Sequence, residues 1–195
     1  MASGMKAELL RKAFHLLSLI YLAAYHLLGR PMTLALLAAW IALEGALEFL
    51  RLRNPAFNAL LIGLFQGVHR PAEEGKVSGI FWTSTGAWLA IALLGSKPQA
   101  VDAALLFLAF GDGAAALAGK AFGKTPIPFL ARRKTLEGTL ACFAACAGAG
   151  FAAGLPAPAL WAGALVASVV EFLPVPLDDN LWLPVLSGLA VFLLV

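Results

Sequence analysis

Four carboxylates stand where a carboxylate is costly: Asp112, Glu137, Glu171 and Asp179 each interrupt or border a long apolar run. Glu44 and Glu48 lie on one helical face with Arg51 a turn further on, and Asp178 and Asn180 flank Asp179. An ionised side chain at the centre of a bilayer costs about 2.5–3.5 kcal/mol, so such exceptions are where function is sought first. Basic groups accompany them: Arg11 and Lys12 just before His15, then Lys120, Lys124, Arg132, Arg133 and Lys134. Carboxylate oxygens suit a hard divalent cation, and ammonium or guanidinium groups suit phosphate. Together with helix ends they are what a metal–polyphosphate site needs.

Small residues run between these charges. Asp112, Ala116, Gly119 and Gly123 recur at three- and four-residue steps, a smooth face that another helix or a nucleotide can approach closely. Gly138, Ala141, Ala145 and Gly148 repeat the pattern further on. The stretch from Ala118 to Thr125 fits a loose phosphate-loop expression ending in Gly-Lys-Thr. A phosphate loop follows a strand and opens a helix; this one follows an apolar span and runs into Pro126 and Pro128, so it is not one. Cys142 and Cys146, one turn apart with no histidine near, cannot complete a zinc site and read as small packing residues. The five tryptophans read as membrane-belt or packing residues.

The elements that must position these groups follow from composition. The chain has 195 residues, 61% hydrophobic and 13% charged, with mean hydropathy +0.86. Soluble domains are nearer half apolar and one quarter charged, so lipid is the solvent for much of this chain. Apolar runs place spans near 13–29, 32–51, 77–95, 99–118, 136–154, 157–173 and 181–195. No cleavage site precedes the first run, which is expected to stay as a span. Between the second and third spans, Phe57, Leu60, Leu61, Leu64, Phe65 and Val68 share one stripe, started by Asn54-Pro55 and stopped by Arg70-Pro71. That pattern predicts an amphipathic helix over 56–69 lying along the headgroups. The expected fold is a single all-α integral membrane domain over 1–195, with about seven transmembrane helices plus one interfacial amphipathic helix.

Lys and Arg set the orientation. With seven spans, the N-terminus, the 51–76 connection and the 119–135 connection share one side and hold twelve of the fourteen basic residues; Arg30 and Lys97 lie opposite. The N-terminus is therefore expected in the cytoplasm and the C-terminus outside. Nearly every carboxylate then falls at the cytoplasmic end, Asp102 excepted. No lysine run with interleaved aromatics is present, which argues against nucleic acid as a partner.

On these residues the chain resembles the CTP-dependent lipid kinase family of dolichol kinase, phytol kinase and the yeast-type diacylglycerol kinase. The carrying residues are Arg11-Lys12-x-x-His15, Gly111-Asp112 with Gly119 and Gly123-Lys124, and Lys134-Thr135-Leu136-Glu137-Gly138-Thr139. Glu171 followed by Asp179-Asn180 and Pro184 completes the pattern. The match covers most of the chain, from about Arg11 to Pro184, and only loosely over 44–76. The central block also resembles CDP-diacylglycerol synthases, which end in a Lys-Asp and Pro-Gly-His-Gly-Gly signature; here the segment from Glu171 to Asn180 stands instead, which favours a kinase.

The resemblance implies transfer of the γ-phosphoryl group of CTP to the hydroxyl of a membrane lipid alcohol: a polyprenol, phytol or similar isoprenoid, or diacylglycerol. It implies Mg²⁺ held by Asp112, Glu171 and Asp179. Arg11, Lys12, Gly119, Lys120, Gly123, Lys124, Arg132, Arg133, Lys134, Thr135 and Gly138 would hold the nucleotide. The helix end opened by Thr135 would add N–H groups aimed at anionic oxygen. Asp112 or His15 would accept the alcohol proton, and Glu137 is a third catalytic candidate. A homo-oligomer is compatible with this expectation. The alternatives are a cytidylyltransferase of the CDP-diacylglycerol synthase type and a small ion-coupled transporter; repeated halves and helices broken at mid-membrane would favour the transporter, whereas these charges crowd one end.

Overall fold

A computed structural model describes residues 2–64, 74–126 and 134–195. Those residues form nine helices: α1 (Ala2–Leu16), α2 (Leu19–Leu28), α3 (Arg30–Arg53), α4 (Pro55–Leu64), α5 (Gly79–Leu94), α6 (Pro98–Phe122), α7 (Leu136–Ala152), α8 (Ala157–Phe172) and α9 (Asp179–Phe192). Proline opens α4 and α6 and sits in the first turn of α3 and α8, where its missing N–H is no loss. α7 ends at Gly154, whose φ of 70° allows Leu155 N–H to reach back to Gly150 O at 3.0 Å.

α3 and α6 are long and apolar enough to cross a bilayer, while α2, α4, α5, α7, α8 and α9 are shorter apolar helices. Four of the shorter ones hold only 14 to 17 residues, or about 21–26 Å at 1.5 Å per residue. α6 is the central helix and touches α1, α2, α5, α7, α8 and α9. Its Phe107, Leu105 and Leu108 are fully buried beside Ile91 and Leu94 of α5 and Leu183 and Val191 of α9. α3 is peripheral and inverted: Leu36, Trp40, Leu43, Leu47, Phe49 and Leu50 face outward, while three of its four buried residues are Thr33, Glu44 and Arg51. A helix in water does the reverse.

Several boundaries differ from the sequence-based expectation. The first predicted span is two helices, because Ser18, Ile20 and Tyr21 donate to His15, Leu17 and Ser18 in tight three-residue steps. α1 also starts well before residue 13 and carries Glu8, Arg11 and Lys12. α6 runs past 118 to Phe122, because the Ala-rich stretch has high helix propensity. The small-residue seam of α7 is corrected: Gly138, Cys142, Cys146 and Gly150 are buried, while Gly148 faces open space. The two thiols point at Gly111 of α6, so sulfur fills the contact that Ala141 and Ala145 were expected to make. Of the predicted amphipathic helix, Pro55–Leu64 is present with Asn54 Oδ1 capping Ala56 and Phe57 N–H at 3.1 Å, and none of its side chains is buried. Residues 65–69 lie outside the described residues.

Candidate functional site

One large cavity opens at the end of the bundle formed by the C-terminal part of α6, the start of α7, the end of α8 and the start of α9. Its volume is about 1420 Å³, above the roughly 300–1,000 Å³ of a single small-ligand site. Glycine lets its walls come together. A Cβ on Gly138 would stand 2.8 Å from Ala115 O, so only glycine lets the first turn of α7 lie on α6 there. Thr135 caps that turn, its Oγ1 accepting from Gly138 N–H at 3.2 Å, and packs on Gly119 and Gly123. Next to this cap, Pro126 bridges Thr135 and Leu136 N–H donates to Thr125 O at 3.1 Å.

Fixing Thr135 places Lys134. Its ammonium donates to Glu171 Oε1 at 2.5 Å, to the Glu171 carbonyl at 2.5 Å and to Asp179 Oδ2 at 2.9 Å. Burial alone pushes the Lys134 ammonium down, but the Asp179 and Glu171 charges outweigh it and hold the group above the ordinary lysine range. Asp179 opens α9, where a helix N-terminus favours negative charge, and Asp178 Oδ1 caps that end through Asn180 N–H at 3.1 Å. Gly86 of α5 seats the same turn, because a Cβ there would stand 2.5 Å from Asn180 O.

Opposite, Lys12 of α1 donates to Asp112 Oδ2, and both side chains are buried. His15 Nε2 lies 3.0 Å from Leu108 O and 3.6 Å from Asp112 Oδ2. A carbonyl can only accept, so Nε2 carries the proton and has no lone pair to offer Asp112 or a substrate. At the rim Arg11 pairs with Glu8, and Lys120 Nζ lies 3.5 Å from the same carboxylate.

Of the residues singled out from sequence, Arg11, Asp112, Gly119, Lys120, Gly123, Lys124, Lys134, Thr135, Gly138, Glu171 and Asp179 all line this cavity. Lys12 and His15 stand behind Asp112. Glu137 lies outside the lining: Oε1 accepts from Lys124 N–H at 3.1 Å and from Thr125 N–H at 3.1 Å and its hydroxyl at 3.0 Å. It shapes the Gly123–Pro126 turn. Arg132 and Arg133 fall outside the described residues. Glu48 and Arg51 form an ion pair at 2.6 Å with Arg51 only 2% exposed. Arg51 also donates to Asn58 Oδ1 at 3.1 Å and to Lys76 O, and Ser78 N–H donates to Glu48 Oε2 at 3.0 Å. The pair thereby ties the 74–78 segment to α3.

Sequence reasoning missed part of the lining. Glu8, Lys76 and Trp82 contribute to it. The i,i+3 spacing of Glu8 and Arg11 was a usable signal, whereas nothing local marks Lys76 or Trp82.

Among the described residues no three His, Cys, Asp or Glu side chains converge closely enough to hold a metal by themselves. The donor set nevertheless fits a hard cation, because the Lys134 ammonium already sits between the Glu171 and Asp179 carboxylates. Compared with family models, with curated proteins and with solved structures, the chain matches none.

Proposed function

We propose that this chain is a multi-pass membrane kinase that transfers the γ-phosphoryl group of CTP to the hydroxyl of a lipid alcohol. The observation that carries it is the cavity itself: among the described residues, five carboxylates and five basic side chains line one space at one end of a bundle with an apolar exterior. The inverted face of α3 supports a bilayer as its surroundings. Seven passes follow with α1–α2 as one kinked crossing, then α3, α5, α6, α7, α8 and α9. The N-terminus and the cavity then lie on the cytoplasmic side, where CTP is.

Phosphoryl transfer needs charge neutralisation, alignment and a proton acceptor. Lys120, Lys124 and Lys134 face the cavity to take phosphate oxygens, and the first turn of α7 adds N–H groups. Glu171 and Asp179, with Asp112 across the cavity, are the carboxylates that would hold Mg²⁺ together with phosphate oxygens and water, and the ion would supply neutralisation of charge on the polyphosphate. The alcohol oxygen attacks the γ-phosphorus, its proton passes to a carboxylate, the bond to the β,γ-bridging oxygen breaks, and CDP leaves. Asp112 is the better-placed acceptor, because it lines the cavity whereas His15 stands behind it. The volume leaves room for a lipid headgroup beside the nucleotide.

CTP labelled at either the α- or the γ-phosphate tests this directly. Label from the γ-position is expected in the lipid and label from the α-position is not. Lipid carrying the α-label would replace the kinase with a cytidylyltransferase, and label from neither would remove both.

A further inference from the structure

Among the described residues, Leu177 is the one residue other than glycine with a positive φ, 69°. A branched side chain enters that left-handed region at a cost, which glycine and asparagine largely avoid. The neighbours on either side are anchored. Pro176 has a fixed φ and its carbonyl accepts from Trp182 Nε1 at 2.8 Å, while Asp178 Oδ1 caps the start of α9 through Asn180 N–H at 3.1 Å. Packing does not account for a leucine between them, since the side chain is 61% exposed. It lines the cavity. Residues held in such conformations cluster at active sites and ligand clamps.

The other leucine, valine and tryptophan side chains on the described lining are Leu52, Val77 and Trp82. Leu52 lies in the last turn of α3, Val77 just before α5 and Trp82 in the first turn of α5. α5 packs on both α3 and α9. Gly86, one turn beyond Trp82, meets Asn180 O of α9, three residues after Leu177. These four side chains therefore belong to the α3–α5–α9 side, whereas Lys120, Lys124 and Lys134 belong to the α6–α7 side. α3 is also the helix whose apolar face points outward, and Leu52, 41% exposed, carries that face to the cavity.

We propose that Leu177, with Leu52, Val77 and Trp82, binds the hydrocarbon chain of the acceptor next to its hydroxyl, and that Leu177 sets the affinity for long-chain alcohols. The inference rests on the chain being a lipid-alcohol kinase, and it adds which wall takes the lipid and which residue holds it. A chain entering from the α3 side lies along apolar side chains with its hydroxyl toward Asp112, and the triphosphate takes the lysine side. Apolar contact far from the phosphorus is alike in bound substrate and transition state, so it acts on KM and not on kcat.

The experiment uses the full chain in mixed micelles with γ-labelled CTP and phytol, a polyprenol or diacylglycerol as acceptor. With the acceptor that takes label, Leu177→Gly is expected to raise KM for the alcohol at least about tenfold, the loss of one buried leucine contact. Its kcat and its KM for CTP should stay within about twofold. Its melting temperature is expected to rise by about 2–4 °C, because glycine relieves the strain and no packing is lost. Leu177→Met keeps an apolar side chain and should stay within about threefold of the parent KM. Leu173, exposed in the same segment but off the lining, is the control, and Leu173→Ala is expected to leave KM unchanged.

Unchanged KM in Leu177→Gly, with label still passing from CTP to lipid, overturns the chain contact and leaves the kinase standing. An equal rise in KM for Leu173→Ala makes the segment a headgroup anchor and overturns the contact as well. A lower melting temperature for Leu177→Gly means that the leucine serves the fold, which also overturns it. Label entering none of the three alcohols overturns the contact and the kinase together.

Discussion

The two ends of the bundle hold the same kinds of basic side chain on different partners. At the far end, Arg30 donates to Ala92 O at 2.7 Å, and Lys97 donates to Phe192 O at 2.8 Å and Val195 O at 3.0 Å. These carbonyls lie at or beyond the C-terminal turns of α5 and α9, where the backbone lacks partners of its own. Tyr25 adds a bond to Gly95 O at 3.2 Å. The end with the cavity places its lysines mainly on carboxylates. A backbone carbonyl is fixed in place and cannot be re-matched, so the far end is closed. A carboxylate can change one cation for another, which is what the proposed function asks of the cavity end. The partner, and not the lysine, decides between a cap and a site.

The largest effect that tests this contrast is at aspartate. Asp112→Asn is expected to slow turnover about 10²–10⁴-fold in the γ-label assay, the range for a lost proton acceptor. It also leaves the buried Lys12 without that carboxylate, which costs on the order of 3–5 kcal/mol of stability. Adding Lys12→Met to Asp112→Asn should return the stability without returning the turnover. Asp102 lies 2.6 Å from His26 at the far end, and Asp102→Asn should stay within about twofold in rate. Comparable rate losses at both aspartates would erase the distinction between the ends.

A smaller effect belongs to Lys97. Lys97→Met removes two donors from the end of α9 and should cost about 1–2 kcal/mol in thermal unfolding, with turnover unchanged at a permissive temperature. A rate loss without a stability loss would make the far end functional. The smallest effect is in pH. Lys134 sits above the ordinary lysine value of 10.5 when folded, so its contribution to stability is complete below that value and is lost as pH rises through the folded one. The melting temperature should lose Lys134's share only above about pH 10.5, and Lys134→Met should lack that part of the alkaline decline. A Lys134-dependent loss already at pH 8 would contradict the pairing.

Much of the cavity was legible in the sequence because topology alone brings Asp112, Lys134, Glu171 and Asp179 to one end. Helix starts at proline and the Thr135 cap were legible for local reasons: they depend on backbone chemistry within a few residues. The match of Lys12 to Asp112 was not, because it joins residues 100 apart and depends on how α1 packs on α6. The α7 seam was misread for a related reason, since small residues recur on more than one face and only the position of Gly111 selects the cysteine face. Glu137 read as chemistry because it sits among basic residues in a distinctive block, and its carboxylate instead orders a turn. Lys76 and Trp82 carried no local signal: Lys76 is placed by the Arg51 bond to its carbonyl, and Trp82 by the start of α5.

The shortness of α8 and α9 has a consequence for the surrounding membrane. At 16 and 14 residues they rise only about 24 and 21 Å, against a hydrocarbon slab of roughly 30 Å. In a bilayer that mismatch falls on the flank bearing Glu171 and Asp179, and lipid relieves it by thinning there, at fractions of a kcal/mol per Å. On the proposed membrane placement, that thinning would draw the headgroup layer down beside the cavity mouth and lower an amphiphile's polar end toward it. Host-lipid acyl length would then be a physical variable for this protein, with thin membranes the better match on that placement.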